Sequence, residues 1–203
     1  MRNRIATVVL ATALVVSLMT LASAWRSPGN NQGYAPAQPI AFSHKLHAGD
    51  MQIACVYCHA GAEASRYAGI PSSNICMNCH GRVTASFAEQ QHAKPQESRE
   101  LRKLYDALAL NSTLAPIEGK LPKPIAWQKV HQLPDFVYFD HRAHITASVQ
   151  CRDCHGPIES MDRVRQVETL SMGWCVNCHR DVNRTGVAGK RVQASIDCVT
   201  CHY

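Results

Sequence analysis

Long apolar runs are scarce in this sequence. One lies at the N-terminus, and the polar remainder, broken by proline and glycine, has too little apolar pattern to build a large core from side chains alone. No long strand pattern is present, which leaves little room for β structure. No βαβ pattern surrounds the cysteines, so a thioredoxin-type dithiol has no frame. No cysteine is left over either: all ten fall in one repeated pattern.

That pattern is C-x-x-C-H, and it occurs five times. The triplets are Cys55, Cys58 and His59; Cys76, Cys79 and His80; Cys151, Cys154 and His155; Cys175, Cys178 and His179; and Cys198, Cys201 and His202. Structural zinc needs two cysteine pairs per metal, and five is an odd number of pairs. Disulfides suit an exported chain but give no reason for the histidine. Covalent haem c explains every member: each thiol adds to a porphyrin vinyl group as a thioether, and the adjacent histidine offers its proximal nitrogen to iron. The cofactor expected is therefore five covalently bound haem c groups.

Haem c is attached on the outer face of the bacterial inner membrane, so an export signal is expected. Residues 1–26, "MRNRIATVVLATALVVSLMTLASAWR", carry Arg2 and Arg4 before an uncharged stretch from Ile5 to Ala24. "Ala22-Ser23-Ala24" resembles a cleavage site. The 20-residue apolar length instead suits a membrane span, and Trp25 suits a helix end. The length favours an uncleaved anchor, with the haem domain on the periplasmic side.

Five segments follow: 1–26 a signal anchor, 27–40 a flexible tether, 41–83 a first module with two haems, 84–130 a helix and Pro-rich connector, and 131–203 a second module with three haems. The modules are an internal duplication. "FSHKLHAGDMQIACVYCHAG" (42–61) matches "FDHRAHITASVQCRDCHGP" (139–157) after a one-residue deletion. Between them, Leu101, Leu104, Tyr105 and Leu108 fall at helical spacing. The architecture expected is short α-helices and loops wrapped round five haems, with little β structure and one N-terminal transmembrane helix.

Five irons also need distal ligands. Each repeat opens with F-x-H-x-x-H, giving His44 and His47, then His141 and His144. Residues at i and i+3 share a helix face, whereas trans ligands of one iron approach from opposite sides of the porphyrin. The two histidines of one unit should therefore serve two neighbouring irons. His131, flanked by Trp127 and Phe136, is the fifth distal choice over His92, which lies in a polar stretch. Methionine is the competing distal ligand, with Met172 its best candidate. Ten imidazoles on five irons leave no open position, so the chain is expected to carry electrons and not to be an enzyme in its own right. The formal charge of +6 is expected to balance haem propionates, and nucleic acid is not an expected partner.

The F-x-H-x-x-H unit followed by C-x-x-C-H resembles class III multihaem cytochromes. From about residue 36 to 203, "FSHKLH", "IPSSNICMNCH", "PIAWQKVHQLPDFVYFDHRAH" and "MGWCVNCH" in that order resemble the pentahaem cytochrome subunits of bacterial alternative complex III. The resemblance implies distal ligation by His44, His47, His131, His141 and His144. It implies a membrane quinol-binding subunit and an iron–sulfur subunit as partners, and a periplasmic cytochrome c or terminal oxidase as acceptor. The cytochrome c maturation machinery would load the haems. A stand-alone membrane-anchored quinol dehydrogenase, a pentahaem nitrite reductase with one open iron, and a free electron shuttle are the competing readings.

Overall fold

The computed structural model describes residues 2–24, 31–85 and 98–203, and in the first helix the side chains of 10–21. Helix α1 is Arg2–Ala24. Among the described residues no helix is long and apolar enough to cross a membrane. The side chains described in α1, Leu10 to Leu21, span only about 18 Å of a hydrocarbon core of ~30 Å at ~1.5 Å per residue. They carry no charge and are mostly apolar, with Leu10, Leu14, Met19 and Leu21 exposed.

The rest is short helices. After a π-helical turn, Lys45–Asp50, come α2 (Cys55–Cys58), α3 (Gly61–Ala64), α4 (Ser73–His80) and α5 (Arg99–Ala107). Then follow α6 (His141–Thr146), α7 (Cys151–His155), a 3₁₀ turn at Ile158–Ser160, α8 (Met172–Thr185) and α9 (Cys198–Cys201). Among the described residues the β structure is confined to isolated bridges, such as Val137 with His202. Three of the five attachment motifs begin a helix at their first cysteine, and in the other two the helix begins three residues before it; α4 carries its motif at its C-terminal end.

Helix α5 follows its apolar spacing: Leu104 and Tyr105 are buried, and the Tyr105 hydroxyl donates to the His80 carbonyl at 2.7 Å. The longest haem-domain helix, α8, ends at Gly186 with φ +79°. A Cβ there would strike the Lys190 carbonyl, so both the left-handed backbone and the close approach call for glycine.

Among the described residues the buried apolar side chains are Ala62, Ala85, Leu104, Tyr105, Ala109 and Met161. That is a small core for a chain of this length. Polar bonds tie the segments instead. Residues 31–40, expected to be part of a flexible tether, are held by Gly33 N–H donating to the Gln166 carbonyl (2.8 Å) and Gln166 N–H donating to that of Tyr34 (3.1 Å). Gln38 and Gln128 add two reciprocal bonds at 2.9 and 2.8 Å.

The two repeats meet at two places. Lys45 N–H donates to the Met161 carbonyl at 3.0 Å, and the Ser43 hydroxyl to Asp162 Oδ1 at 2.6 Å. On the other side, His141 N–H donates to the Arg66 carbonyl at 3.2 Å and Arg142 N–H to that of Ser65 at 3.3 Å. The Arg66 guanidinium lies 4.2 Å over the Tyr138 ring.

Candidate haem-attachment sites

Each repeat places its histidines in the same way. In the first, Phe42 stacks on His47 (4.3 Å, 27°) and stands edge-on to His44 (4.9 Å, 84°). In the second, Phe139 stacks on His144 (4.6 Å, 29°) and stands edge-on to His141 (4.8 Å, 87°). The phenyl ring wedges the two imidazoles apart, so they face different neighbours.

Those neighbours are motif histidines. His44 lies parallel to His59, ring centres 6.5 Å apart at 6°. His141 lies parallel to His155 at 6.3 Å and 7°. His47 faces His80 at 6.1 Å, and His144 faces His179 at 6.0 Å. A metal–imidazole bond of about 2 Å on each side, plus about 1 Å from ring nitrogen to ring centre, sets trans imidazole centres roughly 6 Å apart. The four pairs therefore fit an iron held between them.

Hydrogen bonds fix which nitrogen is free. The Nδ1–H groups of His47, His59, His80, His141 and His144 donate to the carbonyls of Ser43, Gly69, Val83, Arg66 and Asp140 at 2.7–2.9 Å. His179 donates likewise to the Ser195 carbonyl at 2.5 Å. A carbonyl only accepts, so the proton sits on Nδ1 and the Nε2 lone pair is left for metal. Burial, reinforced by the like charges of His59 and His47, pushes His44 down to about 4. Burial, with His131, His141 and His59 beside it, pushes His155 down to about 4 as well. Both imidazoles are thus neutral at pH 7 and able to donate to a metal.

His131 does not join this pattern. It meets His155 edge-on at 4.4 Å, too close for an iron between the rings, and the ring recorded against His202 is that of Phe136, at 5.8 Å. Burial lowers the His131 pKa, and its buried Nε2 has no hydrogen-bond partner. Met172, at the start of α8, is exposed. His92 lies outside the described residues.

The cysteines are free thiols in the structure, standing in for thioether sulfurs. Burial pushes Cys154 up to about 12, helped by Cys178, Asp153, Cys175 and Glu168. Burial also raises Cys58, Cys76, Cys151, Cys175 and Cys178. Thiols shifted this way are poor thiolates, unlike those of a redox dithiol, whereas a neutral thioether suits the same burial. Among the described residues no three His, Cys, Asp or Glu side chains converge on a metal cage of the kind structural zinc uses.

The carbonyl partners of the imidazoles carried no signal in the sequence, because any residue type offers a carbonyl. The Tyr105 brace on His80 could have been suspected only as an aromatic on the buried face of a helix.

Two family models match parts of the chain: cytochrome c7 and related cytochrome c over residues 137–203, and cytochrome c554 and c-prime over residues 75–156. The class to which these matches and the five motifs point is the multihaem c-type cytochrome, an electron-transfer protein with covalently bound haem. More particularly, the chain is similar to the multiheme cytochrome c subunit of a menaquinone reductase from Nitratidesulfovibrio vulgaris. The two are 28% identical over 185 residues, covering 81% of this chain and 76% of that one. It is also similar to a high-molecular-weight cytochrome c of the same organism, 22% identical over 157 residues, with 73% of this chain matched to 25% of that protein.

Proposed function

We propose that this chain is a pentahaem c-type cytochrome that carries electrons within a membrane quinone-linked oxidoreductase, similar in kind to alternative complex III. The observation that carries the reading is the repeated placement of two imidazoles opposite two motif imidazoles at 6.0–6.5 Å in both halves. Haem iron, once bound by two imidazoles, supplies one-electron chemistry and has no position for a substrate. The chain's own residues set the imidazole tautomers through backbone carbonyls and wedge the ring pairs with Phe42 and Phe139. His131 supplies the fifth distal nitrogen, its buried and unpartnered Nε2 being suited to a metal. Quinone chemistry and its protons belong to partner subunits, and this chain is not an enzyme by itself.

α1 anchors the chain in the bacterial inner membrane with the haem modules in the periplasm. The uncharged stretch from Ile5 to Ala24 supports this. A quinol-binding membrane subunit and an iron–sulfur subunit stand on one side of the electron path, and a periplasmic cytochrome c or an oxidase on the other. The direction of flow is open to a second reading, because the similar subunit comes from a protein named as a menaquinone reductase. In that direction a periplasmic donor feeds electrons toward the quinone.

The test is purification from membranes. Five haem masses on the chain, all-low-spin iron, and co-purification with an iron–sulfur subunit and a multi-helix subunit are expected. Fewer than five haem masses, or carbon monoxide binding to the native reduced protein, would overturn the reading. Mixing the complex with reduced periplasmic cytochrome in one vessel and with a quinol analogue in another decides the direction.

A further inference from the structure

The contacts between motifs arrange them in space differently from their arrangement along the chain. Resting on the pentahaem reading above, we infer that the five attachment sites form one unbranched row in the order 76–80, 55–59, 151–155, 175–179, 198–202, so that the second and fifth motifs of the sequence are its two ends.

Each link has its own geometry. The sites at 76–80 and 55–59 share one F-x-H-x-x-H unit, since His47 faces His80 while His44, three residues away, faces His59. Asn78 of one motif also donates to the Tyr57 hydroxyl of the other at 3.0 Å. The sites at 151–155 and 175–179 are joined in the same way by His141 and His144.

The join between these pairs runs through the first and third motifs. His141, which faces His155, donates its Nδ1–H across to the Arg66 carbonyl of the first module at 2.9 Å. His59 of the first motif donates its own Nδ1–H to the Gly69 carbonyl at 2.7 Å, three residues on from Arg66, and Arg142 N–H donates to the Ser65 carbonyl at 3.3 Å, so one short segment touches both sites.

The last link is at the fourth motif. His179 Nδ1–H donates to the Ser195 carbonyl, and Asn183 makes two bonds to Ala194 at 2.7 and 2.8 Å, both partners lying on the segment leading into α9. Ser195 in turn pairs its hydroxyl with that of Thr200, inside the fifth motif, at 2.9 Å. At this end of the row Val199 is 86% and Tyr203 84% exposed.

An electron entering at either end then passes the sites in this order, one iron oxidised as the next is reduced. The first module is threaded backwards: its later motif is outermost. The inference is tested by counting magnetic neighbours. A thioether in place of a distal imidazole raises that iron's potential, so at a chosen poise it alone is ferrous and diamagnetic. Its neighbours then lose a paramagnetic partner, and their EPR relaxation slows. His47→Met is expected to slow one other iron, and His44→Met two. Two neighbours for His47→Met, or one for His44→Met, would overturn the order.

Should either variant lose its haem, the end sites are read directly. Cys76→Ala with Cys79→Ala, and Cys198→Ala with Cys201→Ala, give four-haem proteins by mass, each with one remaining iron slowed. A second iron slowed in either protein would overturn the order. The native haem count is measured on the same samples. A count below five sinks the pentahaem reading, whereas a count of five with the wrong neighbours sinks only the order.

Discussion

The two F-x-H-x-x-H units differ in spacing by one residue, yet both hold their first histidine parallel to the next motif histidine at almost the same separation, 6.5 and 6.3 Å. The extra residue is taken up by backbone winding. In the first half, Lys45–Asp50 is a π-turn, and in the second the matching stretch is α-helical, His141–Thr146. A π-turn accommodates a one-residue insertion without shifting what flanks it, and such turns gather at functional sites. What the two halves hold in common is thus the relation between imidazoles, and the helix type between them is adjusted to keep it.

The strongest way to break the comparison is to remove the first histidine of each unit. His44→Ala and His141→Ala are each expected to convert one low-spin iron to high spin, read by EPR and the optical spectrum. The halves should then differ in stability. His141 also donates to the Arg66 carbonyl, while His44 Nδ1 is buried without a partner. His141→Ala should therefore cost about 1 kcal/mol more in chemical denaturation than His44→Ala. Equal losses would mean that the bond between halves carries no stability.

The fifth site has no counterpart in the duplication, and the comparison is sharpened there next. His131→Ala is expected to convert one low-spin iron to high spin, and His92→Ala to leave every low-spin signal in place. Were the two variants to behave alike, the choice of His131 would be wrong. A change confined to the 151–155 signal would mean that the edge-on contact with His155 is its role instead.

A third effect is steric. Gly49 and Thr146 are equivalent in the repeat alignment, but a Cβ at Gly49 would run into the Glu159 carbonyl, whereas Thr146 is exposed. Gly49→Ala should lose about 1–3 kcal/mol of stability, and Thr146→Ala should stay within about 0.5 kcal/mol. Thermal denaturation of the two holoproteins checks this. Nothing in the repeat itself marked Gly49 as special, because the clash is with a turn more than a hundred residues away in the chain.

How far the site was legible follows the same line. The motifs, the repeated histidine units and the helix at Leu104 and Tyr105 were readable because local spacing dictates them. The argument that one unit serves two irons came from the helix period alone, and the ring pairs His44–His59 and His47–His80 have that arrangement. The tying-down of residues 31–40 was not readable. Gly33 and Tyr34 bond to the backbone of Gln166, a residue that is fully buried here, and composition alone reads such a stretch as a free linker. His131 was chosen for its aromatic neighbours in sequence, and sequence proximity carries no information about which motif it meets.

The smallest expected effect divides the sites within each half and unites them across halves. In the pairs His47–His80 and His144–His179, both imidazoles donate Nδ1–H to a carbonyl. In His44–His59 and His141–His155 the bonds found are those of His59 and His141; His44 Nδ1 is buried without a partner. A carbonyl pulling on Nδ1–H makes the imidazole a stronger electron donor and favours ferric iron. The sites at 76–80 and 175–179 should therefore have lower potentials than those at 55–59 and 151–155. Spectroelectrochemical titration, with signals assigned through His47→Met and His44→Met, measures the order. If the two sites of each half titrate together, or the order reverses, then exposure and nearby charge outweigh the carbonyl bonds. The duplication would then have preserved ligand geometry without preserving its electronic consequence.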